Sequence, residues 1–443
     1  MLRTSLLVLA AATAVNAAPA SNVTFHKDIE PILQARCQGC HRPGEAAPMS
    51  LLTYQDARPW AKAIRGAVLS RKMPPWFADP AHGAFLNDRR LPGEEIDRIV
   101  AWVDTGSREG DPKDAPQPRT FTQGWTEGKP DVVVEMPMDF PVPASGKIDY
   151  TYFVVPTGFT EDKWVEKIEV RPGNPKVVHH IIVGIRPPGV DSMREAKFGE
   201  PFVPPVKIRP RASQTEQGAL EVGSAGSAGI YVPGGVPTSL KPGQARLIPA
   251  GSDLIFTMHY NAYGKADTDR SRVGFWFAKQ PPKERVVETL ITNRDLHIPA
   301  GEGDHRVVAS VTLQADATIL NMFPHMHVRG KSFEYRAIYP NGESETLLSV
   351  PRYDFNWQLT YYLQQPRLLP KGTVIECLAK YDNSANNPYN PDPRQEVSWG
   401  QQTWEEMMAG FMDLAIPLGA DPKALVGAPV KAPAVPSSNV GAR

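Results

Sequence analysis

The sequence predicts a multidomain protein in which a small all-α domain precedes a larger all-β region built of sandwiches. Three observations predict it. The chain has 443 residues, about three domains at roughly 150 residues each. Its first hundred residues carry a cysteine pair and helical periodicity, whereas from Phe121 onward short β-type runs alternate with turn signals. With 45 Pro and 35 Gly it is rich in turns, which suits sandwiches better than helical bundles. The 48 basic and 48 acidic residues cancel, which argues against nucleic acid or an anionic membrane surface as the main partner.

Residues 1–20 read as a secretory signal, with the peptide itself spanning 1–17. Arg3 supplies the positive start, Leu6–Ala12 the apolar core and Val15-Asn16-Ala17 a small-residue cleavage site. The apolar run is too short to span a bilayer, and no other stretch is apolar enough. The expected mature protein is exported, periplasmic or secreted, with no membrane span. Exported proteins usually place cysteines in disulfides. Here Cys37 and Cys40 form a close pair, and Cys377 has no evident partner.

The first domain is expected over 21–112. Cys37-Gln38-Gly39-Cys40-His41 is the C-x-x-C-H pattern of covalent haem c attachment, in which the thiols add to the haem vinyls and His41 reaches the iron. Asp28–Gln34 reads as a short helix leading into it, with Asp28 as N-cap and Pro31 in the first turn. Leu91–Gly106 reads as a closing helix whose Ile96, Ile99, Val100 and Val103 share one face, with Gly106 as the C′ residue. Together these elements resemble a small cytochrome c. The sixth iron ligand is Met73, presented by Lys72-Met73-Pro74-Pro75, or His82. A structural zinc site would need two more ligands, and only the scattered His26 and His82 offer themselves.

Residues 113–120 lie in a polar, proline-rich spacer and mark the boundary. Strand-like runs beyond it include Asp131–Glu135, Tyr150–Val155, Val177–Ile185, Leu254–His259, Val273–Phe277, Val307–Leu313 and Thr373–Lys380. Glu195–Pro249 has few strand signals and is expected as surface loop. Residues 420–443 read as a disordered Ala/Pro/Val tail.

Five of the ten histidines in this chain fall in three compact places. His325 and His327 are two apart, so on a strand both face one way and can chelate one ion while Met326 points away. Pro324 just before them implies an edge strand or a strand start. His179 and His180 are adjacent, so both reach one metal only if their strand bulges or twists. With His259 they form a three-imidazole set suited to copper or zinc. The third ligand for His325 and His327 is sought in Thr403–Met408. A thioether there selects soft copper, whereas Glu405 or Glu406 points to zinc or iron.

His179-His-Ile-Ile-Val-Gly-Ile185, Met258-His-Tyr-Asn-Ala-Tyr-Gly264 and Pro324-His-Met-His-Val-Arg-Gly-Lys-Ser-Phe-Glu-Tyr335, as an ordered set, resemble the copper type II, ascorbate-dependent monooxygenases, such as the peptidylglycine and dopamine β-monooxygenases. Asp354–Gln358 and Glu406-Met407 add to the likeness, which covers about Phe121–Leu418. The resemblance implies two jelly-roll-like sandwiches, over 121–280 and 281–419, each with one copper, facing each other across a solvent-filled cleft. It implies one copper held by His179, His180 and His259 for electron transfer. The other, at His325, His327 and Met407, is the catalytic site that activates O2 to hydroxylate a C–H bond. The chain departs from the pattern at Phe323, Ala409 and Phe411, which stand where the peptidylglycine enzymes carry polar anchors. A small apolar or aromatic substrate is therefore expected, not a peptidyl-glycine. The family also usually lacks a haem domain. Fusion of one here implies that haem c replaces or supplements a diffusing one-electron donor, such as ascorbate or a periplasmic redox protein. Two rival readings are a periplasmic haem and copper electron carrier without hydroxylase activity and a zinc hydrolase, which Met407 argues against.

Overall fold

A computed structural model describes residues 23–122, 124–193, 195–204 and 226–427. Residues 1–22, where the signal peptide is expected, and residues 428–443 lie outside it. The chain divides into two compact units. Among the described residues the smaller takes in 23–43, 48–74 and 90–119, and the larger 44–47, 75–89 and 120–427.

The smaller unit is helical. A π-turn over Phe25–Ile29 runs into the helix Glu30–Arg36, with Pro31 in its first turn where the missing N–H is harmless. Asp28 is not the N-cap. It lies inside the turn and its carboxylate accepts from the Thr24 N–H at 2.8 Å. The closing helix is Gly93–Asp104. Ile96 and Ile99 are buried as the spacing predicts, but Trp102 takes the third core place while Val100 and Val103 are half-buried. Trp102 packs on Phe25 at 5.9 Å, and Gly106 ends the helix at φ 98°, where a side chain would be strained.

The larger unit is all β apart from short turns. Residues 75–89, expected in the first domain, belong to it. Their composition explains this: Trp76, Phe77 and Phe85 are buried, and Trp76 and Phe85 pack on Tyr361 at 5.0 and 5.5 Å. Backbone bonds from Leu86 to Tyr362 and from Gln364 to Ala84 run this strap along the strand Tyr361–Leu369.

Three main sheets build the unit. A four-stranded sheet orders Thr151–Pro156, Asp253–Tyr260, Val178–Arg186 and Ser227–Tyr231. A five-stranded sheet orders Ser344–Val350, Gly330–Ile338, Val374–Tyr381, His305–Leu313 and Val426–Gly427. A long sheet draws strands from the sequence regions of both, in the order Val132–Glu135, Arg272–Phe277, Lys163–Arg171, Gln244–Ile248, Glu284–Thr292, Ala409–Pro417, Ala317–His325 and Tyr361–Leu369. Alternation along each strand decides which residues enter a core. Phe153, Val165, Ile181, Val183, Phe256 and Phe275 form one core, and Ile291, Val311, Ile319, Met322, Phe333 and Tyr335 another. Each such side chain contributes about 1.5–3 kcal/mol.

The predicted division at 280/281 is crossed by the long sheet. Gln244 and Ala245 pair in parallel with Glu284 and Arg285, so the two halves share a ladder. The stretch expected as a loop over Glu195–Pro249 contains the strands Ser227–Tyr231, Thr238–Ser239 and Gln244–Ile248. Residues 420–427, expected in the tail, contain the turn Pro422–Ala424 and the strand Val426–Gly427, which pairs with Thr312 and Leu313. No helix among the described residues is long and apolar enough to cross a membrane.

Candidate metal centre

His179 and His180 lie on the strand Val178–Arg186, beside Asp253–Tyr260, which carries His259. The bulge that two adjacent histidines demand is present: the register shifts between Val178 and His180, leaving His179 without a partner in the ladder, and His180 faces His259. The three imidazoles offer ligand atoms that all lie within 4.8 Å of one another. His180 Nε2 is 3.2 Å from His259 Nδ1 and 3.0 Å from the Tyr150 hydroxyl. Both ring nitrogens of His179 are buried without a hydrogen-bond partner. Such orphaned nitrogens are costly unless something binds them. Phe355 stacks on His179 at 5.5 Å.

His325 closes the strand Ala317–His325, and His327 lies just beyond its end. Pro324 fits because the neighbour Tyr361–Leu369 pairs only as far as Met322, so the chain is an edge on that side. Met326 points the other way, into the core. The two imidazoles face each other with centroids 5.2 Å apart. Their tautomers follow from their partners. His325 Nδ1 donates to Gln358 Oε1 at 2.5 Å, and the Gln358 amide is itself oriented by donating to the Phe355 carbonyl. His327 Nδ1 donates to the Glu405 carbonyl at 3.1 Å. Both acceptors lack a proton, so each ring carries its hydrogen on Nδ1 and keeps the Nε2 lone pair for a ligand.

Glu406 ties this pair to the following strand. Its carboxylate accepts from the backbone N–H of His327 at 2.9 Å, of Arg329 at 2.7 Å and of Met407 at 3.3 Å. Burial raises it to about 7, against those three donors and the Arg329 guanidinium. Its role is therefore to hold backbone rather than to ligate. Met407 is half-buried and lines the same cavity as His325 and His327.

Burial pushes all five imidazoles down, to about 4 for His179 and His325, about 3 for His327, and well below the ordinary value for His180 and His259. At neutral pH all are uncharged, the form that binds metal. The two groups are not separated by a wide cleft. The His180 and His325 ring centroids are 6.5 Å apart, and Tyr150 lies between, stacked on His259 at 4.6 Å and near His327 at 6.2 Å. From here a cavity of about 770 Å³ extends between the four-stranded and long sheets. Ala409 and Phe411 line it, and Phe323 packs on Phe411 at 5.7 Å, so its floor is apolar.

In the smaller unit, the Cys40 and His41 N–H groups both donate to the Cys37 carbonyl, a tight turn that follows the helix Glu30–Arg36. Cys37 and Cys40 are free thiols, and burial, then the Cys40 thiol, pushes Cys37 up to about 12. His41 Nδ1 is buried without a partner, and its ring is pushed below its ordinary value by burial. Met73 belongs to this unit and His82 to the larger one.

Sequence carries no functional signal for Tyr150 or Gln358. Tyr150 and Gln358 each sat inside a noted stretch, Tyr150–Val155 and Asp354–Gln358, but a single hydroxyl or amide carries no periodic signal. Glu406 was weighed as a ligand.

No family model matches this chain, and no curated protein matches it. Among solved structures, the infectious bursal disease virus Gt strain structure aligns at 8% identity and a TM-score of 0.20, over 68% of this chain and 74% of that one. PNGF-II aligns at 9% identity and a TM-score of 0.24, over 64% of this chain and 59% of that one.

Proposed function

We propose that the protein is an exported copper-dependent monooxygenase that hydroxylates a C–H bond of a small organic substrate with O2, drawing electrons through a fused c-type haem. The observation that carries this is the meeting of two neutral, buried histidine groups at one end of a large cavity. When bound, two coppers and the haem supply the one-electron chemistry that places one oxygen atom in substrate and one in water.

The residues fit those groups. His179, His180 and His259 would hold one copper, and the orphaned nitrogens of His179 support it. His325, His327 and Met407 would hold the other through two Nε2 lone pairs and a thioether, a soft set that favours copper over zinc. Cys37, Cys40 and His41 would hold haem c, and Met73 or His82 would supply the remaining iron ligand. Gln358 and the Glu405 carbonyl fix two ring orientations, and Glu406 holds the backbone at His327 and Arg329. The apolar floor at Ala409 and Phe411 excludes water and has no anchor for a carboxylate. On this reading the two β regions are jelly-roll-like sandwiches and the helical unit is a cytochrome c.

Metal analysis with electron paramagnetic resonance should find two type II coppers per haem, and a screen of small apolar and aromatic compounds should find substrate-dependent O2 uptake. Replacing His327 by Ala should abolish that uptake and leave the haem spectrum intact. Zinc in both sites, or copper without O2 uptake for any compound, would overturn the assignment.

A further inference from the structure

The cavity has a second pole. On the long sheet, register places Thr292, Ala409 and His325 in one row, Leu290, Phe411 and Phe323 in the next, and Glu288, Asp413 and Asn321 in a third. Residues two apart share a face, so all three rows look the same way. The opposing sheet runs in step. His180 faces His259, Ile182 lies between Thr257 and Ile230, and Gly184 lies between Ile255 and Ser227. The space between the sheets therefore has histidines at one end, an apolar middle and Glu288 at the other end.

The far end is charged and built. The Ser227 N–H and hydroxyl donate to the Glu288 carboxylate at 2.9 and 2.5 Å, closing the gap between the sheets. Behind it, the buried Arg246 pairs with Asp413 at 2.6 Å, and Asn321 donates to the other Asp413 oxygen at 2.9 Å. Arg246 hydrogen-bonds Asp413 and not Glu288, so the Glu288 carboxylate is met only by the Ser227 donors. Asp191 and Glu195, on the segment after Val178–Arg186, line the same end. The one cationic side chain lining the cavity among the described residues, Arg294, lies beyond Thr292 on the histidine side, over the Trp399 ring. Uncompensated buried charge is costly, and a ligand of opposite sign relieves it.

We propose that this cavity takes an elongated amphiphile, with an apolar chain along Leu290, Phe411 and Ile182 and a terminal ammonium on Glu288, so that the opposite end of the chain meets His325 and His327. This rests on the oxygenase reading and adds the substrate class. Thr292 lies four strand steps from Glu288, on the order of 13 Å, so the cationic group sits a full alkyl chain away from the reacting carbon.

The test is calorimetric titration of the full chain, as purified and without reductant, with octylammonium, octanol, octanoate and butylammonium. Octylammonium should bind at least tenfold tighter than octanol, and octanoate and butylammonium should bind more weakly than either. Glu288→Gln should remove the advantage of octylammonium and leave octanol unchanged. Leu290→Trp, which fills the apolar middle, should weaken both octylammonium and octanol. Octanoate binding tightest, through Arg294, would overturn the proposal, as would octylammonium no tighter than octanol or full affinity in Leu290→Trp. Binding is read without turnover. Octylammonium selectivity in a protein that never consumes O2 would sink the oxygenase reading alone, and O2 uptake without that selectivity would sink this one alone.

Discussion

The Tyr150 hydroxyl lies 3.0 Å from His180 Nε2 while its ring stacks on His259 at 4.6 Å, so one side chain braces two members of the histidine triad by different means. The two can be separated. Tyr150→Phe keeps the ring and should cost about 1 kcal/mol of stability. Tyr150→Ala also removes buried ring area and should cost roughly 3–5 kcal/mol. Thermal unfolding measures both, and equal losses would mean that the stack carries nothing.

Glu406 should act on one histidine pair only. Glu406→Gln turns an amide N–H toward backbone donors that now meet carboxylate oxygens. The expected loss is about 1–3 kcal/mol of stability. Metal affinity at His325 and His327 should fall about 10–100-fold, with the His179, His180 and His259 set unchanged. A two-site copper titration reads this directly, and equal weakening of both sites would contradict it.

Gly410 is required by a neighbour. A Cβ there would stand 2.6 Å from Cys377 Sγ and 3.2 Å from the Tyr335 ring. Gly410→Ala should destabilise by about 1–3 kcal/mol. Cys377→Ala makes room, so the double variant should be less destabilised than the two single changes summed. Strict additivity would show that the crowding is relieved elsewhere.

Acid should destabilise the fold through its histidines. Unfolded, all five bind protons near pH 6.5. Folded, His179 and His325 stay neutral to about 4 and His327 to about 3. Between those limits the unfolded chain holds more protons, so stability falls as pH falls. His325 alone accounts for roughly 3 kcal/mol across that window. Glu406, raised from 4.5 to about 7, works the other way: its contribution is present below 4.5 and lost as pH rises through 7. Glu288 is also raised by burial. Asp269 is raised by burial too, and His41 is lowered by it. Six imidazoles outweigh three carboxyls, so Tm should be lower at pH 5 than at pH 7.

Much of the fold was legible because apolar alternation is a local signal. The run Leu254–His259 became the strand Asp253–Tyr260, and Val307–Leu313 became His305–Leu313. The histidine pair even announced its bulge, since adjacent side chains cannot share a face without one. Register is not local. Nothing in Gln244–Ile248 says that it will run parallel to Glu284, or that Glu288, Asp413 and Asn321 will fall in line. The strap over 75–89 was missed for the same reason, because Trp76 and Phe85 are apolar in any context and only their partner Tyr361 gives them a place.

The parallel pairing of Gln244 and Ala245 with Glu284 and Arg285 has a mechanical meaning. With the Arg246–Asp413 pair it stiffens one wall of the cavity, and the Ser227–Glu288 bonds beside them tie that wall to the facing sheet. Prising them apart would strip the Glu288 carboxylate of its Ser227 donors, at roughly 1–3 kcal/mol. A guest of the cavity would therefore pass through a gap in a stiff shell, and the separation of the two sheets should be the same with and without one.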